Sequence, residues 1–217
     1  MPRDVLVKDL GRTQYCEVFD QMRAFTNERN QTTPDEIWLT EHEPVFTQGQ
    51  AGKAEHLLAP GTIPVVQTDR GGQVTYHGPG QIVAYLLFDI RRLGINVRGL
   101  VSGIENSIIS LLSHYKVTGQ ARADAPGVYV GGAKVAALGL RVRRGCSYHG
   151  LSLNVQMDLA PFAMINPCGL SDVTVTQLAD LGGPSSTSQV KPLLLESLAE
   201  TYGINLRMSH NRDSSAA

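Results

Sequence analysis

Cysteine is scarce in this chain, and its copies lie far apart. The 217 residues include three: Cys16, Cys146 and Cys168. An odd, widely spaced set does not make a disulfide framework, and no two of them have the close spacing of a structural zinc site. The sequence therefore predicts reduced thiols, as in a cytoplasmic protein, and no metal site.

Long apolar runs and an excess of one charge are also missing. No uninterrupted apolar stretch approaches the roughly 18 residues of a membrane span, and residues 1–10 lack the apolar core of a secretory signal. The 19 basic residues nearly balance the 20 acidic ones, which leaves a formal net charge of -1. Because nucleic-acid binding needs a basic surface, we expect no nucleic-acid partner, and we expect no membrane association.

What remains is the composition of a globular protein with a mixed fold. Hydrophobic residues make up 42% and charged residues 18% of the chain, and its length suits one domain. Apolar patterns predict strands at 5–10, 36–40, 64–68, 81–90, 127–130, 134–138 and 148–157, and helices at 13–29, 97–115 and 190–202. The absence of a G-x-G-x-x-G motif argues against a dinucleotide-binding fold. We predict one α/β (α+β) domain over residues 1–208, with a mixed, largely antiparallel sheet flanked by helices, and a frayed polar tail at 209–217.

One segment, residues 70–81, combines four glycines with polar and aromatic side chains. It has the sequence R-G-G-Q-V-T-Y-H-G-P-G-Q. It is too polar for a core strand and too varied for a flexible Gly/Ser linker. Because glycine lets a backbone approach a ligand closely, the segment predicts one wall of a binding site. The alternative is a pair of tight turns around a short strand.

Two cysteines compete as candidate nucleophiles. Cys168 stands between Pro167 and Gly169, where a rigid loop would present the thiol. Cys146 follows Arg143 and Arg144, whose charge would lower the pKa of a nearby thiol. Taken alone, either cysteine is more often a small buried packing residue.

Lys134 is a further candidate for chemistry. Strand alternation places it on one face with Ala136, Leu138, Leu140 and Val142. An amine at the head of an apolar face would lose solvation, which lowers the pKa of a lysine. On its residues alone, however, the position favours a strand-end lysine whose amine reaches water.

Histidines and arginines give weaker signals. His42, His77 and His149 lack metal-ligand spacing. A zinc-deaminase pattern is also incomplete, since a glutamate follows His42 directly and the P-C-x-x-C motif lacks its second cysteine. Five arginines form either a solvated surface or a docking patch for an acidic protein. They are Arg91, Arg92, Arg141, Arg143 and Arg144.

Several ordered motifs together carry a family resemblance. Residues 70–81 resemble the R-G-G-x-V-T-Y-H-G-P-G-Q signature of the octanoyltransferases of lipoate biosynthesis. Residues 126–155, with G-G-A-K at 131–134 and G-L-S-L-N-V at 150–155, look like the second block of that family. The N-P-C-G of residues 166–169 looks like its nucleophile loop, and residues 41–49 are similar to an early segment. These motifs cover most of residues 36–171.

The resemblance implies a fold, an activity and a set of site residues. The fold would be that of biotin and lipoate protein ligases. The reaction would move an octanoyl group from octanoyl-acyl carrier protein to a lysine of lipoyl domains, in 2-oxoacid dehydrogenases and glycine cleavage H protein, without a cofactor. Cys168 would be the nucleophile and Lys134 its partner. The implied substrate-binding residues are Arg70, Gly71, Gly72, Gln73, Val74, Thr75, Tyr76, His77, Ala137, Leu138, Gly139, Gly150, Leu151 and Ser152.

Thioester chemistry explains why these residue types would be needed. Thiolate is the attacking form, and a cysteine with an ordinary pKa of about 8.5 is mostly thiol at neutral pH. Lys134 as an ammonium would favour the Cys168 thiolate and then protonate the departing thiol. As a neutral amine it would accept a proton from the acceptor lysine. Backbone N–H groups around Gly139 or Cys168 are candidates for stabilising the oxyanion, and His77 or Tyr76 are candidates for orienting Lys134.

Two other functions stay open on the sequence alone. An ATP-dependent lipoate or biotin ligase on the same fold would need no catalytic cysteine. A non-catalytic module that binds acyl groups or lipoyl domains would form no covalent adduct.

Overall fold

A computed structural model of the chain describes residues 2–166 and 174–209. The strands are β1 (Arg3–Thr13), β2 (Asp35–His42), β3 (Val45–Gln48), β4 (Val65–Gln67), β5 (Val74–His77), β6 (Gln81–Leu87), β7 (Gln120–Ala121), β8 (Gly127–Val130), β9 (Ala133–Arg143), β10 (Cys146–Asn154) and β11 (Ile204–Met208). The α-helices are α1 (Tyr15–Glu28), α2 (Val97–His114) and α3 (Thr187–Tyr202). Short 3₁₀ turns occur at Ala54–His56, Ala160–Met164 and Leu178–Leu181.

Eight strands form one mixed sheet in the order β11-β1-β2-β6-β10-β9-β8-β7. Strand β1 runs parallel to both β11 and β2. The other neighbours in this sheet are antiparallel. The predicted mixed and largely antiparallel sheet is therefore confirmed.

A second sheet of three short strands, in the order β4-β3-β5, was not predicted, although β4 lies within the strand predicted at 64–68. Its strands are three or four residues long and carry polar side chains, so they give little periodic signal. Just before β5, the N–H of Gly71 donates to the carbonyl of Leu140 in β9 at 2.9 Å. The small sheet and the predicted binding wall are thereby joined to the large sheet.

Helices cover both faces of the large sheet. Alternate residues of β6 divide between two apolar clusters, since Ala84 joins one and Tyr85 the other. Leu100 and Ile108 of α2 are fully buried in the first cluster, which also includes α3. Met22 of α1 is fully buried in the second. No helix within the described residues is long and apolar enough to cross a membrane.

Three parts of the chain differ from the prediction for local reasons. The first helix begins at Tyr15 rather than residue 13, because β1 continues through Thr13. Strand β11 was missed: Gly203, with φ of 60°, ends α3 and turns the chain back beside β1. The N–H of Ser209 donates to the carbonyl of Val7 at 2.8 Å, so residue 209 still belongs to the folded edge. The predicted tail at 210–217 lies outside the described residues.

Candidate active site

A cavity of about 310 Å³ lies where residues 70–75 meet the large sheet. It is roughly twice the volume of an engineered apolar cavity of ~150 Å³ that binds benzene. Its lining is mostly apolar and includes Val74, Val83, Leu138, Leu151 and Phe162. The cavity therefore suits an aliphatic group of medium length.

Most of the residues predicted for the site meet at this cavity. They are Arg70, Gly71, Gly72, Gln73, Val74, Thr75, His77, Lys134, Ala137, Leu138, Gly139, Gly150, Leu151 and Ser152. Tyr76 does not line it. Its ring packs instead against Phe46 and Phe162, with 5.5 Å between ring centroids in each pair. Cys168 lies outside the described residues.

Glycines allow two close approaches in the large sheet, of the binding wall at Gly139 and of strand β6 at Gly150. Gly139 of β9 pairs with Gly150 of β10. A Cβ at Gly139 would lie 2.9 Å from Arg70 Cδ and 3.1 Å from the Gly71 carbonyl oxygen. A Cβ at Gly150 would lie 2.0 Å from the carbonyl oxygen of Ala84. These approaches are open only to glycine, which explains the two glycines in this part of the sheet.

Arg70 holds the wall together through its guanidinium group. Its Nη2 donates to the carbonyl oxygens of Thr47 at 2.6 Å and Gln73 at 2.8 Å. Its Nη1 donates to the carbonyl oxygen of Gly71 at 3.0 Å. The side chain is buried, so these bonds fix it in place. Arg70 thus organises β3 and the residues that lead into β5.

Lys134 faces the opposite side of the sheet from the one predicted. Strand β8 pairs Val128 with Ala136, and then Tyr129 with Lys134. Val135 is therefore an extra residue in β9, and such a bulge breaks the alternation of side chains. Val135 and Ala136 both join the apolar cluster on the α2 face. The prediction that Lys134 shares a face with Ala136 and the residues alternating with it was wrong, and the bulge turns Lys134 to the other side.

Burial and an aromatic ring define the surroundings of Lys134. The residue is 5% exposed, which contradicts the water-reaching lysine that the residues alone favoured. Its Nζ lies 5.2 Å from the centroid of the Tyr129 ring, a distance suited to a cation–π contact. A Cβ at Gly127 would lie 3.2 Å from Lys134 Cε, and Gly127 pairs with Ala137. The lysine side chain therefore runs along β9 toward the level of Ala137.

The chain on both sides of residues 167–173 is anchored at the cavity. On the far side, the N–H of Lys134 donates to the carbonyl of Thr174 at 2.8 Å, and the N–H of Thr176 donates back to Lys134 at 2.9 Å. On the near side, Phe162 lines the cavity. The role of Cys168 stays a prediction, since that residue is not described.

Cys146, the rival nucleophile, lies away from this cavity. It begins β10, opposite Arg143 at the far end of β9 from Lys134. Burial raises the pKa of the Cys146 thiol, which is the wrong direction for a reactive thiolate. Cys16 is exposed on α1. Neither of the two cysteines in the described part of the chain is placed to act as the nucleophile.

The buried histidines near the site are uncharged at neutral pH. Burial, with a smaller effect of His42, lowers the pKa of His77 to about 3. The His77 Nδ1 lies 2.7 Å from Gln81 Oε1, and its Nε2 lies 3.3 Å from Thr47 Oγ1. With a hydrogen-bond partner at each ring nitrogen, His77 is held in place within the wall. Within residues 2–166 and 174–209, no three His, Cys, Asp or Glu side chains are arranged to hold a metal ion.

His149 is placed by an unusual backbone conformation. Its φ of 59° lies in the left-handed region that residues with a Cβ rarely adopt. Its Nε2 lies 2.8 Å from Asp69 Oδ1, and the Tyr148 hydroxyl donates to Asp69 Oδ2 at 2.5 Å. Burial opposes ionisation of Asp69, but these hydrogen bonds hold its pKa at about 2. The three groups join β10 to the residue that precedes Arg70.

Tyr15 and Tyr85 line the cavity, and neither was predicted as a site residue. The Tyr15 ring stacks on the His77 ring at a centroid distance of 5.9 Å. The Tyr85 hydroxyl lies 2.6 Å from His42 Nε2. The pattern around Tyr15 predicts a helix, and the pattern around Tyr85 predicts a buried strand. The available signal was a hydroxyl-bearing ring inside an otherwise apolar pattern.

Among the five arginines, which form either a solvated surface or a docking patch, Arg92 has a structural role. Arg92 and Arg29 both donate to Oδ1 of buried Asp35 at 2.6 Å. Arg92 therefore neutralises a buried carboxylate. Arg143 and Arg144 are exposed at the turn between β9 and β10.

Comparison with known proteins places the chain among enzymes of one family. Residues 14–199 match the family described as the lipoyl protein ligase A/B catalytic domain. The chain belongs to this family. Relatives of this lipoyl protein ligase A/B domain include the octanoyltransferase of Pseudomonas fluorescens strain Pf-5, which is 59% identical over 92% of this chain and 93% of the relative. The octanoyltransferase of Stutzerimonas stutzeri is 61% identical over 94% of this chain and 93% of the relative. The family resemblance is thus confirmed.

Solved structures share the fold of this lipoyl protein ligase A/B domain. A bipartite lipoate protein ligase from Thermoplasma acidophilum matches with a TM-score of 0.71 and 16% identity, over 97% of this chain and 88% of that one. The biotin protein ligase from Aquifex aeolicus matches with a TM-score of 0.53 and 12% identity, over 94% of this chain and 70% of that one. At these identities the likeness concerns the fold, and it confirms the predicted biotin and lipoate ligase-like architecture.

Proposed function

We propose that this protein transfers an octanoyl group from octanoyl-acyl carrier protein to the acceptor lysine of lipoyl domains. Relatives at 59% and 61% identity are octanoyltransferases, and the chain is an acyltransferase of their family. A protein of the same fold belongs to an archaeal lipoylation system with an E2 lipoyl domain, which supports lipoyl domains as acceptors. We extend the proposal to the lipoyl domains of 2-oxoacid dehydrogenases and to glycine cleavage H protein, in the cytoplasm.

One observation carries the proposal. The buried amine of Lys134 lines a cavity large enough for an acyl chain, and its backbone pairs with the chain that follows the segment of Cys168, the predicted nucleophile. Lys134 is 5% exposed and lines the cavity of about 310 Å³. Its backbone pairs with Thr174 and Thr176, the first residues after the segment that includes Cys168. This pairing supports a Cys168 thiol within reach of the amine.

In the first half-reaction, the Cys168 thiolate attacks the carbonyl carbon of the octanoyl thioester. The bond from that carbon to the carrier sulfur breaks, and the ammonium of Lys134 gives a proton to the departing thiol. One thioester replaces another, so the step needs no ATP. A cation beside the cysteine is required because a thiol with an ordinary pKa of about 8.5 is mostly protonated at neutral pH.

In the second half-reaction, the amine of the acceptor lysine attacks the carbonyl carbon of the octanoyl-Cys168 thioester. Neutral Lys134 takes a proton from the attacking nitrogen, an amide bond forms, and the Cys168 thiolate leaves. Burial of Lys134 favours the neutral amine, while a neighbouring thiolate favours the ammonium. The same residue therefore serves as acid in one half and as base in the other.

A covalent adduct distinguishes this proposal from its rivals. The protein is mixed with octanoyl-acyl carrier protein, quenched in acid, and weighed intact by mass spectrometry. We expect a gain of one octanoyl group that is lost in Cys168→Ala and retained in the matched controls Cys16→Ala and Cys146→Ala. No adduct together with turnover that depends on ATP would indicate a ligase. Binding of the carrier with neither adduct nor turnover would indicate a non-catalytic module.

The role of Lys134 has a separate test. The rate of iodoacetamide alkylation at Cys168, followed on its peptide, is measured against pH in the wild type and in Lys134→Ala. We expect the apparent pKa of the thiol to rise in the variant, because a neighbouring cation is lost. Lys53→Ala, at an exposed lysine, serves as control. An unchanged profile in Lys134→Ala would remove thiolate stabilisation from the mechanism.

A further inference from the structure

One hydroxyl at the cavity lacks a hydrogen-bond partner among the described residues. Tyr15 lines the cavity, is 3% exposed, and its Oη is buried without such a bond. Thr68 lies near this oxygen, but the contact fails the geometry of a hydrogen bond. Because buried polar groups in native proteins are nearly always paired, the Tyr15 hydroxyl points to a group that enters the cavity.

The polar groups around Tyr15 already have partners. The Tyr85 hydroxyl pairs with His42, and the two His77 nitrogens pair with Gln81 and Thr47. These groups also carry no charge at neutral pH. Burial raises the pKa of Tyr15 to about 12 and lowers that of His77 to about 3. Two charged groups, Arg70 and Asp69, also lie near Tyr15, and each is held by hydrogen bonds of its own, Arg70 to the carbonyl oxygens of Thr47 and Gln73 and Asp69 to Tyr148 and His149.

Strand register separates this polar end from Lys134. The lysine side chain runs to the level of Ala137, whereas Tyr85 lies at the level of Gly139. Two residues of a strand span about 7 Å, and the side chains at each end add to that distance. An extended eight-carbon chain is roughly 9 Å long at C–C bond lengths of about 1.5 Å. A carbonyl carbon held near Lys134 would therefore place the end of an octanoyl chain near Tyr85, which lines the same cavity as Tyr15.

We propose that Tyr15 is a specificity-determining residue, whose hydroxyl makes the inner end of the acyl cavity polar and so favours eight-carbon chains and a polar group on their terminal carbon. This inference rests on the proposed octanoyl transfer. A longer aliphatic chain would keep water from the hydroxyl without offering it a hydrogen bond, which corresponds to roughly 5- to 150-fold weaker binding. A hydroxyl on the terminal carbon of the chain would instead supply the missing partner.

A competition between two donors of nearly equal length tests the proposal. Equal amounts of nonanoyl- and 8-hydroxyoctanoyl-acyl carrier protein are offered with a lipoyl domain, and the two products are separated by mass. Tyr15→Phe should shift the product ratio toward nonanoyl by at least fivefold relative to the wild type. The matched control is Tyr202→Phe, since the Tyr202 hydroxyl donates to the Leu100 carbonyl at 2.6 Å and does not line the cavity. Its ratio should equal that of the wild type.

The outcomes separate this inference from the proposed function. An unchanged ratio in Tyr15→Phe, with normal octanoyl transfer, would overturn the role of Tyr15 alone. Failure of the wild type to transfer octanoyl would overturn the function itself. If circular dichroism shows that Tyr15→Phe does not fold, the product ratio of the wild type alone serves as the test. Preference for 8-hydroxyoctanoyl over nonanoyl then supports the proposal, and equal use or preference for nonanoyl overturns it.

Discussion

The buried histidines should make the protein lose stability steeply below pH 6.5. His42 is 0% and His77 is 7% exposed. Burial lowers their pKa from 6.5 to about 4 and about 3, respectively. Between those values and pH 6.5 the unfolded chain binds protons that the folded protein does not. Their contribution to stability is therefore complete above pH 6.5 and is lost as the pH falls through this window.

The magnitude follows from the size of the window. Each histidine lowers the free energy of unfolding by about 1.4 kcal/mol per pH unit below its unfolded pKa. At pH 5 the two together should remove about 4 kcal/mol, a large part of the 5–15 kcal/mol typical of native proteins. Burial also lowers the pKa of His149, which acts in the same direction. Asp69 does not contribute between pH 7.5 and 5.0, because its ordinary pKa of 3.8 and its folded pKa of about 2 both lie below that range.

Urea unfolding at pH 7.5, 6.0 and 5.0 measures this loss. Trp38, the single tryptophan, is 5% exposed, so its fluorescence reports unfolding. In His42→Gln, an amide replaces the ring and one titrating group is removed. This variant should be less stable at pH 7.5, but its loss between pH 7.5 and 5.0 should be smaller by about 2 kcal/mol. His114 is exposed, and His114→Gln serves as the matched control. Its loss in free energy of unfolding between pH 7.5 and 5.0 should equal that of the wild type.

Two results would refute the reasoning. One is a wild-type loss below about 1 kcal/mol between pH 7.5 and 5.0, since that would mean the folded protein binds the same protons as the unfolded chain. The other is an equal loss in His42→Gln and the wild type. Either result would show that His42 is protonated in the folded protein at pH 5.

Two further predictions concern the framework. Gly150→Ala should destabilise the protein by about 2 kcal/mol or more, because the added Cβ would lie 2.0 Å from the Ala84 carbonyl oxygen. Thermal unfolding measures this loss of stability. The control is Gly99→Ala, where the nearest atom would lie 3.5 Å from the added Cβ and no loss is expected. Asp35→Asn should cost about 3–5 kcal/mol, because it leaves Arg29, whose side chain is 3% exposed, without its counter-charge. Equal urea midpoints for Asp35→Asn and wild type would contradict that value.

The sequence was sufficient to predict the fold class, because the large elements follow simple apolar patterns. Residues 82–88 form a continuous apolar run, and β6 is buried along its length. The helical spacing around Leu100 and Ile108 likewise predicted α2. Of the small sheet, the strand at 64–68 was predicted but the sheet was not, because three- and four-residue strands are stabilised by pairing with one another rather than by a pattern of their own.

The direction of single side chains was harder to predict than the elements that carry them. Alternation along β9 assigned Lys134 to the wrong face, because the extra residue Val135 is visible only through the pairing with β8. Tyr15 and Tyr85 were read as helix and strand residues, since nothing local distinguishes a ring that lines a cavity from one in a closed core. Family motifs supplied what periodicity could not, namely that Lys134 belongs to the site.

The cavity is formed where two neighbouring strands depart from regular β geometry. In β9 the bulge at Val135 directs Lys134 away from the α2 face. In β10 the left-handed conformation of His149 brings its ring to Asp69. Between these points Gly139 and Gly150 remove the side chains that a regular sheet would place there. A regular pair of strands would fill this position with packed side chains, so the irregularities are the condition for having a cavity in the sheet rather than defects around it.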